Sequence, residues 1–92
     1  MSAALELIAK KLAQASRPED VFGEISEADQ GLLSGLRKSY RELVKVVHPD
    51  LYETTDEKIL AHVALGHLIE WYGEAQVRIQ FGIYGLKDKR QP

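Results

Sequence analysis

Apolar residues recur every three or four positions along most of the chain, which is the spacing of amphipathic helices, and strand-like alternation is nearly absent. The pattern therefore predicts an all-α fold. Near the N-terminus, Leu5, Ile8 and Leu12 form one narrow apolar stripe, which predicts a helix over about residues 3–14.

A short second helix is predicted around Val21 and Phe22. Ser16 and Glu19 have the spacing of a capping box, so Ser16 is the expected N-cap of this helix. Gly23 is its expected end.

A long third helix is predicted to begin between Glu27 and Gln30, with Ser26 and Asp29 both suitable as caps, and to run to about Val47. Pro49 ends it, because the residue before a proline is disfavoured in the α region. One face of this helix is apolar and carries Leu32, Leu33, Leu36, Tyr40, Leu43, Val44 and Val47. A neighbouring face carries what we call the basic stripe, which consists of Arg37, Lys38, Arg41 and Lys45.

A fourth helix, capped by Thr54, Thr55 or Asp56, is predicted to end at about Gly73, and a last short helix is predicted over residues 74–81. The fourth helix is apolar on two faces. The first, expected to meet the third helix in an antiparallel hairpin, consists of Leu65, Leu68, Ile69 and Tyr72; the second consists of Ile59, Leu60, Val63, Ala64 and Trp71.

A helix that is apolar on two faces is normally buried on both sides. The N-terminal stripe is therefore predicted to fold onto the second face, on the side away from the basic stripe, and to cover Trp71 at least partly. The alternatives are that the N-terminal and fourth helices meet between two chains in a homodimer, or that both faces await a further part of a longer protein.

Composition narrows the possible functions. The chain has 92 residues, a formal net charge of -2 and no cysteine. A slightly acidic protein is a poor nucleic-acid binder unless its basic residues are strongly segregated. The absence of cysteine excludes disulfides and thiolate zinc sites. No stretch reads as a signal peptide or a membrane span, so a soluble cytoplasmic protein without membrane contact is expected.

Three sequence segments carry a resemblance to a known family. The basic helix leads directly into His48-Pro49-Asp50, the C-terminal end reads Arg78-Ile79-Gln80-Phe81-Gly82-Ile83-Tyr84-Gly85, and an upstream segment reads Asp20-Val21-Phe22. In this layout residues 20–85 resemble the J-domain family. The chain departs from the usual pattern at Glu42, Leu51, Tyr52, His62 and Gly82.

The resemblance implies a J-domain over residues 17–86, with an accessory helix over residues 1–16 and a polar tail or linker over residues 87–92. It implies a co-chaperone that binds a DnaK-type heat-shock chaperone and stimulates its ATP hydrolysis, without being an enzyme and without a cofactor or metal. The implied partner-binding residues are His48, Pro49, Asp50, Arg37, Lys38, Arg41, Lys45, Tyr40 and Arg78.

Several alternatives stay open. The departures from the family pattern allow a diverged interaction module that no longer stimulates an ATPase. Tyr40 is also interpretable as a packing residue, and Arg78 as the partner of a nearby carboxylate. A metal or acid–base cluster of His48 with His62 and His67 is disfavoured, because the last two are five residues apart rather than the four that a helical metal site uses.

Overall fold

A computed structural model describes residues 2–25 and 31–85, and within these ranges all the regular structure is helical. Its elements are α1 (Ala3–Gln14), α2 (Glu19–Phe22), α3 (Leu32–Val47), a 3₁₀ turn (Pro49–Leu51) and α4 (Thr55–Gln80). The prediction of an all-α fold is confirmed, and α1 has the predicted bounds. None of the helices in the described ranges has the length and apolar character needed to cross a membrane.

The N-terminal helix α1 packs against α4, as predicted. The Ser2 N–H donates to Glu57 Oε2 at 3.0 Å, and the Trp71 indole N–H donates to the Leu12 carbonyl at 3.2 Å. The start of α1 thus lies beside the start of α4, and the end of α1 lies further along α4. The two helices therefore run parallel. Leu5 and Leu12 are almost completely buried in this contact.

Two details of the α1 prediction need correction. α1 also contacts α3, so it lies against both long helices rather than on the far side of α4 alone. It also leaves part of the second apolar face of α4 uncovered, because Ile59 and Val63 stay exposed while Leu60 and Ala64 are covered or partly covered.

The predicted capping box of α2 is wrong. The Ser16 N–H and hydroxyl both donate to Asp20 Oδ2, at 3.0 and 3.1 Å, and α2 begins only at Glu19. These hydrogen bonds, above all the one from the backbone N–H, hold the pKa of Asp20 below its usual value. Gly23 ends the helix, as predicted.

Helix α3 begins later than predicted. Gly31 has φ +87°, a conformation that no helix contains, so the helical run starts at Leu32. The proposed caps Ser26 and Asp29 lie outside the described residues. The C-terminal end agrees with the prediction, since α3 stops at Val47 and His48 adopts the extended conformation that precedes a proline.

The two predicted C-terminal helices are one continuous helix of 26 residues that passes through Gly73. A glycine inside a helix costs only about 1 kcal/mol relative to alanine. Leu68 and Ala75, on either side of Gly73, are fully buried, and this packing outweighs the cost. Thr54 is the N-cap, since its Oγ1 accepts the Glu57 N–H at 3.2 Å.

Helices α3 and α4 form the predicted antiparallel hairpin. Leu36 and Val47 of α3 and Leu68 of α4 are fully buried. The predicted hairpin face is wrong for Leu33 and Ile69, both of which are exposed although they were expected to pack between the helices.

Candidate partner-binding loop

The His48-Pro49-Asp50 segment connects the two long helices and lies at one end of the hairpin. The His48 N–H closes α3 on the Val44 carbonyl at 3.0 Å. The 3₁₀ turn then places the Leu51 N–H 3.1 Å from the His48 carbonyl and the Tyr52 N–H 3.2 Å from the Pro49 carbonyl. With Pro49 fixing one backbone angle, the loop is ordered by its own hydrogen bonds.

The His48 ring helps to fix the loop. Its Nδ1 accepts the Asp50 backbone N–H at 3.2 Å. This contact uses Nδ1 as an acceptor and leaves Nε2 without a partner in the loop. The side chain is 46% exposed, which leaves the ring accessible.

Asp50 is the most accessible charged group of the loop, with a side chain that is 89% exposed. Its Oδ2 lies 3.8 Å from His48 Nδ1, and its carboxylate accepts no hydrogen bond from the residues that the structure describes. The loop therefore holds the backbone of Asp50 in place while the carboxylate points into solvent.

Tyr52 supports the loop from inside, a role that the sequence did not reveal. Its hydroxyl donates to the Val46 carbonyl, in the last turn of α3, and its ring packs against the core. The sequence marks Tyr52 only as a departure from the family pattern. The available signal was its chemistry, because a partly buried tyrosine usually finds an acceptor for its hydroxyl.

The basic stripe lies on the outer surface of α3 and leads toward the loop. All four of its residues, Arg37, Lys38, Arg41 and Lys45, are exposed. Lys45 Nζ lies 3.7 Å from Glu42 Oε2, and both side chains are well exposed. A pair this exposed is worth at most about 1 kcal/mol, so it leaves Lys45 free to exchange partners.

Two of the predicted binding residues have partners inside the chain. The Tyr40 ring stacks on Tyr72 of α4, with centroids 4.1 Å apart and planes inclined by 15°. Arg78 lies in the last turn of α4, where Nη1 is 3.3 Å from Glu19 Oε2. Both observations favour the structural alternatives for these residues, and Arg78 lies at the opposite end of α4 from the loop.

The Arg78 pair belongs to a larger arrangement that we call the clasp, which joins α2 to the segment after α4. Glu19 Oε2 also accepts the Gly85 N–H at 2.8 Å, and the Tyr84 hydroxyl donates to the Gly23 carbonyl at 2.7 Å. The Glu19 side chain is only 8% exposed. Burial and the Glu19 carboxylate raise the pKa of Tyr84 to about 12.

The histidines do not form a metal site in the described residues. No group of three or more histidine, aspartate or glutamate side chains there is arranged to hold a metal ion. His62 and His67 lie on α4, beyond the loop that carries His48.

The fold and the site together define an all-α protein that presents an ordered, acidic-tipped loop at one end of a helical hairpin. The sequence and the structure match no known family model, no curated protein and no solved structure.

Proposed function

We propose that this chain is a J-domain co-chaperone module that binds a DnaK-type heat-shock chaperone and stimulates its ATP hydrolysis. The observation that carries the proposal is the His48-Pro49-Asp50 loop, which is internally ordered and yet turns its carboxylate to solvent. A proline and an aspartate are common at the turn of a helical hairpin. Here His48 also accepts the Asp50 N–H, so the segment is already ordered before it meets a partner.

The chemistry of the loop suits recognition rather than catalysis. The exposed Asp50 carboxylate offers a charge-assisted hydrogen bond to an arginine of the partner. Because His48 and Pro49 already fix the backbone, little conformational entropy is lost when the loop binds.

The basic stripe supports the same function. Its exposed cations lie along α3 on the way to the loop. Charges of one sign on one face accelerate encounter with an acidic partner, even when the net charge of the protein is slightly negative. We place the module in the cytoplasm without membrane contact, and its net charge of -2 argues against a nucleic-acid partner.

The direct test is single-turnover ATP hydrolysis by a purified DnaK-type chaperone with and without this chain. We expect the wild-type chain to accelerate hydrolysis and His48→Gln to lose most of the acceleration, because a glutamine cannot reproduce the Nδ1 contact. His62→Gln is the matched control, since His62 is exposed on α4 and outside the loop.

The test also separates the proposal from its alternative. A chaperone that responds to a peptide client but not to this chain would contradict co-chaperone activity. That result would favour a diverged module that keeps the fold for another interaction.

A further inference from the structure

The first turn of α4 contains a carboxylate that joins the starts of two helices. Glu57 Oε1 accepts the Thr54 hydroxyl at 3.0 Å, and Glu57 Oε2 accepts the Ser2 N–H at 3.0 Å. Thr54 is the N-cap of α4 and Ser2 is the N-cap of α1, so each oxygen of this side chain binds a residue that begins a helix. Glu57 thus connects α1 to the point where the chain enters α4.

This arrangement differs from an ordinary capping box. Thr54 and Glu57 have the spacing of such a box, in which the glutamate reaches back to the backbone N–H of the cap. Here the carboxylate binds the hydroxyl of the cap and uses its second oxygen for a residue 55 positions away. The start of α4 does not need this second contact, so the contact with Ser2 joins α4 to α1.

Ser2 is anchored to the core. Its Oγ accepts the Leu5 N–H at 3.2 Å, and Leu5 is completely buried. The hydrogen bond between Ser2 and Glu57 is itself partly buried, and a hydrogen bond shielded from water is stronger than an exposed one. The link therefore fixes the start of α4 against the body of the protein.

The backbone that leaves the His48-Pro49-Asp50 loop ends at the same cap. The 3₁₀ turn that contains Asp50 contacts α4 directly. On the side of α3, the turn is held by the Tyr52 hydroxyl, which donates to the Val46 carbonyl. On the side of α4, Thr54 has an extended backbone, with φ -80° and ψ 151°, and is held by its hydrogen bonds with Glu57. The direction in which the loop presents Asp50 thus depends on both anchors.

We propose that Glu57 is a positioning residue for the His48-Pro49-Asp50 loop, on which it acts through Thr54 by holding the start of α4 against α1. The inference rests on the proposed function, because the direction of the Asp50 carboxylate matters only when a cation of the partner receives it. A loop that is held in its binding conformation loses less conformational entropy on binding. Loss of the link should therefore weaken affinity for the partner and leave the maximal stimulated rate unchanged.

Amide hydrogen exchange, followed by NMR on the full chain without a partner, tests the link itself. The Leu51 and Tyr52 N–H groups close the turn, and their exchange rates should rise about fivefold in Glu57→Ala as the turn opens more often. Asp56→Ala is the matched control, because it removes the other carboxylate of the same helical turn, and it should leave these rates near the wild-type values. Unchanged rates in Glu57→Ala, or an equal rise in Asp56→Ala, would contradict the link.

The same spectra separate positioning of the loop from stability of the whole fold. Leu68 lies in the core at the middle of α4, so its N–H exchanges through larger openings than those of the loop. In Glu57→Ala, the exchange rate of Leu68 should rise less than the rates of Leu51 and Tyr52. An equal rise at all three residues would mean that Glu57 stabilises the fold as a whole and does not position the loop.

Single-turnover ATP hydrolysis by a DnaK-type chaperone tests the consequence for function. Glu57→Ala should raise the concentration of the chain that gives half-maximal stimulation about fivefold, at an unchanged maximal rate, whereas Asp56→Ala should match the wild type. Glu57→Gln should restore the wild-type concentration, because its amide oxygen can accept the Ser2 N–H while its amide N–H donates to Thr54 Oγ1. A glutamine variant as weak as the alanine variant would assign the effect to charge at the helix start and overturn the link.

These outcomes distinguish the positioning role from the proposed function. If the wild-type chain does not stimulate the chaperone, the proposed function fails, and the exchange rates still decide whether Glu57 orders the loop. If the wild-type chain stimulates and Glu57→Ala reaches half-maximal stimulation at the same concentration, only the positioning role of Glu57 fails.

Discussion

The two ends of the α3–α4 hairpin differ in where their acidic side chains point. At the clasp, the Glu19 carboxylate is almost buried and binds Arg78 and the Gly85 N–H. At the loop, the Asp50 carboxylate is exposed and accepts nothing from the residues that the structure describes. Of these two carboxylates, only that of Asp50 is available to another molecule.

The difference separates residues that hold the fold from residues that are free to bind. The buried Glu19 carboxylate makes its contacts through Oε2 alone, since Oε1 has no hydrogen-bond partner among the described residues. Removing this group leaves Arg78 and the Gly85 N–H unpaired, whereas removing an exposed carboxylate costs little. Substitutions at the clasp should therefore change stability, and substitutions at the loop should change activity alone.

The largest effect is expected from α1, which runs beside α4 between the two ends. Deletion of residues 1–15 removes the fully buried Leu5 and Leu12 and should reduce the free energy of unfolding by about 3–6 kcal/mol. The fluorescence of Trp71, which α1 partly covers, should shift to the red. Leu7→Ala, at an exposed site of the same helix, should change neither property. If the deletion also leaves both unchanged, α1 does not support the hairpin.

At the clasp, Glu19→Ala should reduce the free energy of unfolding by about 2 kcal/mol, because it leaves Arg78 and the Gly85 N–H without their acceptor. Urea denaturation measures the change. Glu24→Ala, at an exposed glutamate just after α2, should have little effect. Equal stability of the two variants would mean that the clasp does not hold this end of the molecule.

The clasp also shows which kind of feature local sequence patterns cannot predict. The apolar pattern predicted the bounds of α1, and Pro49 predicted the end of α3 at Val47. The sequence also offered Thr54 as one of three possible caps of α4. These features depend on neighbouring residues. The role of Glu19 depends on Arg78 and Gly85, which lie 59 and 66 positions away. Local spacing instead assigned Glu19 to a capping box with Ser16. In the structure, Asp20 accepts the hydrogen bonds of Ser16.

Tertiary packing explains the other differences. Gly73 is a local signal for a helix end, but buried neighbours on both sides keep α4 continuous. The exposed loop, in contrast, was predictable, since His48, Pro49 and Asp50 are adjacent in sequence and form their own turn. The sequence placed Tyr40 and Tyr72 on the two faces that meet in the hairpin, but it did not single out their direct stacking, which depends on how two separate helices pack.

A smaller effect is expected for Tyr84→Phe, which removes the hydrogen bond to the Gly23 carbonyl and should cost about 1 kcal/mol at neutral pH. The folded state favours the protonated phenol, with a pKa raised from 10.0 to about 12. Its contribution is thus fully present below pH 10 and is lost as the pH rises toward 12. Denaturation across this window should show a steeper loss of stability for wild type than for Tyr84→Phe. Parallel curves would contradict the raised pKa.

Charge changes in the basic stripe should have the smallest effect on stability and should act mainly on the rate of association with the partner. Reversal of charge in Arg41→Glu with Lys45→Glu should slow association with a DnaK-type chaperone and weaken the dependence of the rate on salt. Lys10→Glu with Lys11→Glu, a matched exchange on α1, serves as the control. Stopped-flow rates that match the wild type at every ionic strength would show that the stripe is only a solvated surface.

The most direct test of the account combines stability and activity in one pair of variants. Asp50→Asn should change the free energy of unfolding by less than about 0.5 kcal/mol, because its side chain makes no hydrogen bond to the described residues. It should nevertheless abolish stimulation of ATP hydrolysis by a DnaK-type chaperone. Glu53→Gln, which removes an exposed carboxylate three positions away, should stimulate like the wild type. Stimulation by Asp50→Asn at the wild-type level would contradict the proposed function.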